Sequence, residues 1–220
     1  MLISLAKKKI QQPQDLVGRR IAIQPPNSTL GISYEAFLRS QNINHADLKE
    51  SPRTDYNTVD IVFNDGTDIL PGFITNDGMK AKQRGDDIHF IVLSDYGIDI
   101  YSNVIFTTEK LIKERPELVE SFLRATVRGM QWAVANPDKT VEHVLESYGS
   151  EMSPEIKATQ QPGMQASTAL INPAGSQPGR MTAESWEYAH QILLDQGILK
   201  QPIPVKAAYN LEFLERIYSQ

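Results

Sequence analysis

The sequence contains no cysteine, which excludes disulfide bonds, thiolate nucleophiles and cysteine-ligated metal sites. Its four histidines are widely separated and lack the spacing of metal ligands. Basic residues are also in deficit, because 22 Lys and Arg stand against 27 Asp and Glu and give a formal net charge of −5. This balance argues against a surface that binds nucleic acid or an anionic membrane.

Long apolar runs are missing as well, since no segment approaches the roughly 20 residues that a membrane-spanning helix needs. The apolar opening from Met1 to Ala6 is followed by Lys7 to Lys9, whereas a secretory signal has the opposite order. We therefore predict no membrane span in this chain and a solvated helix end at the lysines. If the protein works outside the cytoplasm, its export signal is expected outside this sequence.

The common enzyme signatures are not present. The sequence has no G-x-S-x-G, no G-x-x-x-x-G-K, no G-x-G-x-x-G and no H-E-x-x-H pattern. A catalytic pair of carboxylates is recognised by its spatial separation, which the sequence does not give. We predict no catalytic residues, no metal and no cofactor.

The first hundred residues alternate short β-like runs with helical patterns, which is typical of a parallel-sheet α/β architecture. The predicted strands are Arg20 to Gln24, a weak one near Leu48, Thr67 to Phe73 and Ile88 to Leu93. The predicted helices are Leu30 to Ser40, Val59 to Phe63, and Asn76 to Arg84 with Gly85 as its end.

The pattern becomes helical after Tyr101. One more strand is predicted at Val104 to Phe106, and a loop at Asn172 to Gly179. Helices are predicted to begin at Pro116, Asn136, Ser153, Thr182 and near Leu211. We predict an α/β lobe over residues 1–100, and a crossover strand with a helical part over residues 101–220. The helical part lacks a sheet for its apolar stripes, which suggests missing residues upstream, and Trp132 is expected in its core.

Three segments are candidate ligand contacts. The first runs from Pro26 to Gly31 between a strand and a helix, and it places Ser28 and Thr29 at a helix N-terminus. Unpaired amides and the helix dipole favour a carboxylate, sulfonate or phosphate at such a position. Simple capping by either hydroxyl would produce the same pattern.

The second segment, Asp68 to Asp77, is an apolar run that ends in a Pro-Gly break and carries Phe73, Thr75 and Asn76. Ligands of open α/β sheets sit beyond the carboxyl ends of the strands, and this segment follows such an end. The alternative is that Thr75 or Asn76 caps the next helix while Phe73 fills the core.

The third segment, Ser94 to Asn103, carries Tyr96, Asp99 and Tyr101 where α/β character gives way to helices. A tyrosine offers a flat apolar face and a hydroxyl group, which together suit a planar polar ligand. A crossover between lobes is also where a hinge would lie. An ordinary surface loop would contain the same residue types.

Together these segments resemble a known family. Asp15 to Ala22 resembles a "D-L-x-G-K-x-I-x" opening, and Pro71 to Asp77 a "T-N-E-P" region. Tyr96 to Tyr101 with Phe106 to Glu109 is similar to "Y-G-I-D-F-Y … L-F-T-T-E", and Pro116 to Pro137 fits "P-E-x-V-x-x-F-x-x-A … N-P". These motifs belong to periplasmic substrate-binding proteins of ABC transporters, in the alkanesulfonate and thiamine-pyrimidine-synthase-like branch.

The resemblance implies a type II periplasmic-binding-protein-like fold, with one α/β lobe plus the helical C-terminal part of the other lobe. The N-terminal part of that other lobe has no counterpart here. Ligand would be trapped between lobes by hinge closure. Ser28 and Thr29 would bind a polar or anionic group, Phe73 and Tyr101 would pack against a ring, and Asn76 and Asp99 would hydrogen-bond it. Thr75 and Tyr96 are the remaining expected contacts.

The implied function is a solute-binding protein that delivers a thiamine-pyrimidine precursor, riboflavin or a sulfonate to an ABC transporter permease. Its expected location is periplasmic or extracellular, with a lipid or membrane tether. One alternative is the ligand-sensing domain of a membrane signalling protein. Another is a thiamine-pyrimidine biosynthetic enzyme, which is disfavoured because the cysteine-rich motif, donor histidine and cofactor lysine of those relatives have no counterpart. Asp77-Gly78 replaces the usual Glu-Pro, so the ligand identity stays open.

Overall fold

The computed structural model describes residues 1–53, 59–85, 87–171 and 176–219. The chain forms two compact units. Unit 1 comprises Met1–Ile100 together with His190–Gln201, and unit 2 comprises Tyr101–Ala189 together with Pro202–Gln220.

Unit 1 is built on a mixed β-sheet. Its strands in the described residues are β1 Leu2–Leu5, β2 Arg20–Ile23, β3 Lys49–Pro52, β4 Leu70–Pro71 and β5 Ile88–Ile91. β1 lies between β4 and β5 and runs antiparallel to both, while β2 and β3 pair in parallel. A parallel bridge from Ile21 to Ile69 joins the pair β2-β3 to the group β4-β1-β5, so the strand order is β3-β2-β4-β1-β5. Every strand except β1 points in the same direction.

Both faces of this sheet are covered. Leu2 and Ile21 belong to one buried cluster with Phe37 of the helix at Thr29–Ser40, whereas Ile3 and Ala22 belong to a second cluster with Val62 of the helix at Asp60–Phe63. The helices of unit 1 are α1 Thr29–Ser40, α2 Asp60–Phe63 and α3 Met79–Gln83, the last preceded by a π-helical turn at Ile74–Gly78. β1 is buried at all four positions and is apolar apart from Ser4, as expected of a strand that is covered on both faces.

The structure of unit 1 differs from the sequence-based expectations in three respects. β1 was not predicted, because four consecutive buried residues show no alternation that would distinguish a strand. The strand expected over Thr67 to Phe73 is confined to Leu70–Pro71 and the single bridge at Ile69. Lys8 is not simply solvated, since its ammonium lies 2.7 Å from Asp65 and 2.8 Å from Asp68.

Unit 2 is helical. It contains α4 Glu109–Glu114, α5 Pro116–Ala135, α6 Pro137–Tyr148, α7 Pro154–Ile171 and α9 Glu212–Tyr218, while α8 Ala183–Asp195 begins in unit 2 and ends in unit 1. The hydroxyl of Thr108 accepts the amide of Leu111 at 3.1 Å, and that of Thr182 accepts the amide of Ser185 at 3.2 Å. These side-chain caps explain why α4 and α8 begin where they do.

Two expectations for unit 2 are wrong. The segment Val104 to Phe106 forms no strand with any described residue, and Phe106 is 89% exposed. A strand requires a neighbour that pairs with its backbone groups, and propensity alone does not supply one. Trp132 is 44% exposed and not a core residue. Of the predicted loop Asn172 to Gly179, residues 172–175 lie outside the described residues.

None of the described helices is long and apolar enough to cross a membrane.

Candidate ligand-binding site

The predicted contacts of unit 1 follow strands that end at one edge of the sheet, which we call the carboxyl edge. Ser28 and Thr29 come after β2, and Phe73, Thr75 and Asn76 come after β4. These two strands are neighbours, so the segments that follow them leave the sheet about 5 Å apart. β5 lies two strands from β4, so it ends about 10 Å further along this edge, and Tyr96 and Asp99 follow it in the chain.

Ser28 caps helix α1. Its hydroxyl accepts the amide of Gly31 at 3.1 Å and donates to the carbonyl of Pro25 at 2.7 Å. The capping interpretation of Ser28 is therefore confirmed. Within the described chain, the amides of Thr29 and Leu30 have no hydrogen-bond partner. A helix of 12 residues thus presents two free N–H groups and its positive end at the carboxyl edge.

The segment after β4 is available for contacts. Phe73 is 40% exposed and therefore not a core residue, and Asn76 is exposed. Neither Thr75 nor Asn76 makes a side-chain hydrogen bond to another described residue. The amide of Phe73 is instead accepted by the carboxylate of Asp77 at 3.0 Å. The alternative in which Thr75 or Asn76 caps the helix is therefore wrong.

A buried ion pair at the same edge was not predicted. Arg53 directly follows β3, and its guanidinium lies 3.7 Å from Asp77, with 2% and 7% of the two side chains exposed. Asp77 also packs tightly against Gly72. A β-carbon added at Gly72 would lie 2.7 Å from the β-carbon of Asp77. No periodicity in the sequence links residues 24 positions apart, so the pair had no sequence signal.

Tyr96 and Asp99 differ in their surroundings. The ring of Tyr96 meets Phe37 edge to face, at 5.5 Å between centroids and 81° between planes, and so packs against the core. Asp99 is exposed, just beyond Gly97, whose φ of 82° is the left-handed conformation that ends the turn after β5.

Tyr101 belongs to unit 2. Its hydroxyl accepts the amide of Thr182 at 2.9 Å, and its ring lies 6.2 Å from that of Trp186. Trp186 stacks in turn on Tyr209 at 5.4 Å. Seven of the eight predicted residues thus follow strand ends of unit 1, whereas Tyr101 lies in an aromatic group of unit 2.

A cavity of about 290 Å³ lies beside α1 in unit 1, and none of the predicted contacts lines it. His45 stands at its wall, with Nδ1 2.8 Å from Glu50 and Nε2 2.7 Å from Glu35. These bonds, led by the one to Glu50, raise the pKa of His45 above its ordinary value. The network also includes Tyr34, whose hydroxyl donates to Glu50 at 2.8 Å.

The opposite edge of the sheet holds a cluster of charges. Arg20 lies 2.8 Å from Asp68, which is also paired with Lys8, and the arginine is the main reason that the pKa of Asp68 lies well below its usual range. This cluster joins Lys8 and the start of β2 to the segment before β4. Among the described residues, no group of three histidine or acidic side chains could hold a metal ion.

The comparison with protein families then decides the family. The family model described as "NMT1/THI5 like" matches residues 1–140 of the sequence. The chain belongs to the NMT1/THI5-like family. It is 26% identical over 218 residues to the formylaminopyrimidine-binding protein of Halalkalibacterium halodurans, covering 94% of this chain and 62% of that protein.

Other relatives of this NMT1/THI5-like chain differ in their named roles. The riboflavin-binding protein RibY of Chloroflexus aurantiacus is 24% identical over 155 residues, covering 70% of this chain and 44% of that protein. The 4-amino-5-hydroxymethyl-2-methylpyrimidine phosphate synthase of Legionella pneumophila is 27% identical over 149 residues, covering 66% and 46%. Both binding proteins and an enzyme therefore occur among the relatives.

The fold agrees with that of solved periplasmic binding proteins. A putative periplasmic sulfonate-binding protein SsuA from Methylobacillus flagellatus superposes with a TM-score of 0.71 at 15% identity, covering 99% of this chain and 64% of that one. The fold is therefore the periplasmic-binding-protein fold. The chain spans 62% of the formylaminopyrimidine-binding protein and 64% of this solved protein.

Proposed function

We propose that this chain is a ligand-binding part of a solute-binding protein that captures a small polar aromatic molecule for an ABC importer. The observation that carries the proposal is the carboxyl edge of unit 1. Two free amides of α1 follow β2 there, and the unbonded side chains of Thr75 and Asn76 follow the neighbouring strand β4. Such an edge can bind a small ligand through hydrogen bonds.

In this proposal, the first turn of α1 with Thr29 binds a polar or anionic group of the ligand. Phe73 provides an apolar surface for a ring, and Thr75, Asn76 and Asp99 supply hydrogen bonds. Residues 1–100 correspond to the second lobe of the family fold, and residues 101–220 to the helical part of the first. Tyr101 remains a predicted ligand contact.

The names of the relatives support the ligand class and the setting. A pyrimidine and riboflavin are both planar nitrogen heterocycles, and sulfonates carry the anionic group that a helix N-terminus favours. The corresponding partner is an ABC transporter permease, and the corresponding location is periplasmic or extracellular with a tether.

Binding is tested by thermal unfolding and calorimetry with formylaminopyrimidine, riboflavin, taurine and an aromatic sulfonate. A ligand at about 100 times its dissociation constant stabilises the folded state by about 2.7 kcal/mol. We expect one of these compounds to raise the melting temperature. In Asn76→Ala that compound should bind about 10-fold more weakly, since one hydrogen bond to the ligand is lost.

Asn44→Ala is the matched control, because Asn44 is an exposed asparagine whose side chain caps nothing in unit 1. It should bind like the parent. Equal affinities of the two variants for the identified ligand would remove Asn76 from the site. A folded sample that binds none of the four compounds would contradict the proposed ligand class.

One relative favours a second candidate, a pyrimidine synthase. Against it stands the complete absence of cysteine from this chain. Incubation with pyridoxal phosphate, iron and histidine should give no pyrimidine product, and formation of that product would replace the binding proposal with the enzymatic one.

A further inference from the structure

The segment after β4 forms a turn of a rare kind. Residues Ile74–Gly78 make a π-helical turn, in which the amide of Gly78 donates to the carbonyl of Phe73 at 3.0 Å. A π-turn contains one more residue than an α-helical turn, and single π-turns occur frequently at functional sites. This turn carries Thr75 and Asn76, two hydrogen-bonding residues of the proposed site. The groups that fix its shape therefore bear on ligand binding.

The carboxylate of Asp77 closes this turn. Its Oδ2 accepts the amide of Phe73 at 3.0 Å, and Phe73 is the N-cap residue of the turn. In a capping box, an acidic side chain three residues after the N-cap bonds the N-cap amide in the same way. Asp77 lies four residues after the N-cap, and the additional residue matches the wider turn. Asp77 thus acts as the acidic residue of a capping box that is adapted to a π-turn.

The side chain of Asp77 is itself fixed by its surroundings. Asp77 and Arg53 are both buried, and the guanidinium lies 3.7 Å from Oδ1. Gly72 packs against the same carboxylate, since an added β-carbon there would lie 2.9 Å from Oδ2. The two oxygens therefore have separate partners, because Oδ1 faces the guanidinium and Oδ2 bonds the backbone at Phe73. A side chain held by its neighbours in this way fixes the group that it bonds.

The ion pair connects the segments on either side of β2. Arg53 directly follows β3, Asp77 belongs to the turn after β4, and β2 lies between these two strands in the sheet. The amide of Arg53 donates to the carbonyl of Ile23, the last residue of β2, at 2.8 Å. The turn is therefore anchored through Asp77 to a residue that is itself bonded to the central strands.

Burial separates Asp77 from the other side chains of the turn. Asn76 is exposed and Phe73 is 40% exposed, whereas only 5% of Asp77 is exposed. The exposed side chains are available to a ligand, while the buried carboxylate is already engaged with the backbone and with Arg53. This arrangement gives Asp77 the task of orienting its neighbours.

We propose that Asp77, fixed by Arg53, is a positioning residue of the ligand-binding site. It holds the turn Ile74–Gly78 in the shape in which Thr75 and Asn76 meet the ligand. This inference rests on the proposed function, because it assigns a task within the same site. Hydrogen bonds weaken steeply when their geometry is poor, so a turn without its closing bond should bind more weakly even though its contact residues are all present.

The first test compares two buried aspartates at opposite edges of the sheet. The ligand is whichever of formylaminopyrimidine, riboflavin, taurine and the aromatic sulfonate binds the parent chain. Asp77→Ala should bind it about 10-fold more weakly, as expected when a hydrogen bond is lost. Asp68→Ala is the matched control, because Asp68 also accepts a backbone amide, that of Arg20 at 3.0 Å, and also pairs with an arginine. It should lower the melting temperature but keep the affinity of the parent.

A conservative variant separates positioning from direct contact. Asp77→Asn keeps an oxygen that can accept the amide of Phe73, but it has no charge. It should therefore retain most of the affinity that Asp77→Ala loses. If the charge of Asp77 contacted the ligand, the asparagine variant would bind as weakly as the alanine variant, and that result would overturn the positioning role.

Hydrogen exchange of the free protein provides a readout that needs no ligand. The amides of Phe73 and Gly78 are both bonded within the turn. In Asp77→Ala they should exchange at least about 10-fold faster than in the parent, because the turn opens locally at a lower free energy. In Asp68→Ala the same two amides should keep the rates of the parent.

Gly72→Ala reaches the same carboxylate without removing a polar group. Its added β-carbon would lie 2.7 Å from that of Asp77 and should displace the side chain. We expect this variant to bind the ligand about 10-fold more weakly as well. If Asp77→Ala does not fold, as judged by circular dichroism, Gly72→Ala decides the question, and an affinity equal to that of the parent would overturn the positioning role.

The outcomes distinguish this inference from the proposed function. A parent chain that binds none of the four compounds would overturn the proposed function and the positioning role together. A parent chain that binds one of them, while a folded Asp77→Ala binds it equally well or keeps its turn amides protected, would overturn the positioning role alone. All affinities are measured well below the melting temperature of each variant, so that loss of binding is not loss of folding.

Discussion

Gly31 fixes the first turn of α1 against the bend that precedes it. An added β-carbon would lie 2.1 Å from the carbonyl oxygen of Pro25, a distance that no packed structure tolerates. The glycine thus allows the helix N-terminus to approach the end of β2 closely. The free amides of Thr29 and Leu30 owe their position at the carboxyl edge to this contact.

Gly31→Ala should therefore lower the free energy of unfolding by about 1–3 kcal/mol, as overpacking does elsewhere. Urea unfolding at 25 °C measures the change. Gly149→Ala is the control, since Gly149 has a helical φ of −62° and its added β-carbon would find its nearest neighbour at 3.7 Å. An equal loss in both variants, or none in either, would contradict the steric reason.

At the scale of elements, His45 ties α1 to β3. Its two ring nitrogens bond Glu35 of α1 and Glu50 of β3, and only the protonated ring can donate to both. Because the pKa of His45 is raised in the folded state, its contribution to stability is full below the unfolded value of about 6.5 and is lost as the pH rises through the higher folded value.

We expect the free energy of unfolding of the parent chain to fall as the pH rises from about 6 to about 9, relative to His45→Asn. Urea unfolding at both pH values measures the difference. Asn44→Ala, which changes the residue beside His45 and leaves both of its carboxylate partners in place, should keep the pH dependence of the parent. A parent and a His45→Asn variant with identical pH dependence would contradict the role of the imidazolium.

Elements whose ends are marked by nearby residues in the sequence were predicted correctly. α1 and β2 were predicted because Gly18, Pro25 and Ser28 mark their limits. β1 and the segment Val104 to Phe106 were not, because whether an apolar run becomes a strand depends on a pairing partner distant in sequence.

The residues of the candidate site also divide into those that the sequence predicted and those that it did not. The rule that ligands sit beyond strand ends indicated Thr75 and Asn76, and the turn from a strand to a helix indicated Ser28. The buried pair of Arg53 and Asp77 was missed, because it is created by the neighbouring ends of β3 and β4 and not by any local pattern. Site residues on strand ends are thus more predictable than the ion pairs packed beneath them.

At the scale of the whole molecule, the apolar core is concentrated in unit 1. The segment His190–Gln201 returns to this unit, and Ile192 joins its larger cluster. Unit 2 has five buried hydrophobic residues among those that the structure describes: Val119, Val127, Val141, Phe213 and Leu214. Fewer buried contacts mean that its helices open at a lower free energy.

Hydrogen exchange should reveal this difference. We expect the amides of α6 and α7 to exchange at least about 10-fold faster than those of β1 and β2, after correction for intrinsic rates. The comparison uses two elements from each unit, so that fraying of a single helix does not decide it. Equal protection in both units would mean that they open together as one cooperative body.

The two tryptophans of the chain, Trp132 and Trp186, both belong to unit 2. Intrinsic fluorescence excited at the red edge of the absorption band is therefore a reporter of the helical unit alone. Trp186 contacts the rings of Tyr101 and Tyr209, whereas Trp132 is 44% exposed, so the two indoles differ in their contact with water. Quenching by iodide can follow the exposed Trp132, while the fluorescence of Trp186 serves as an internal reference.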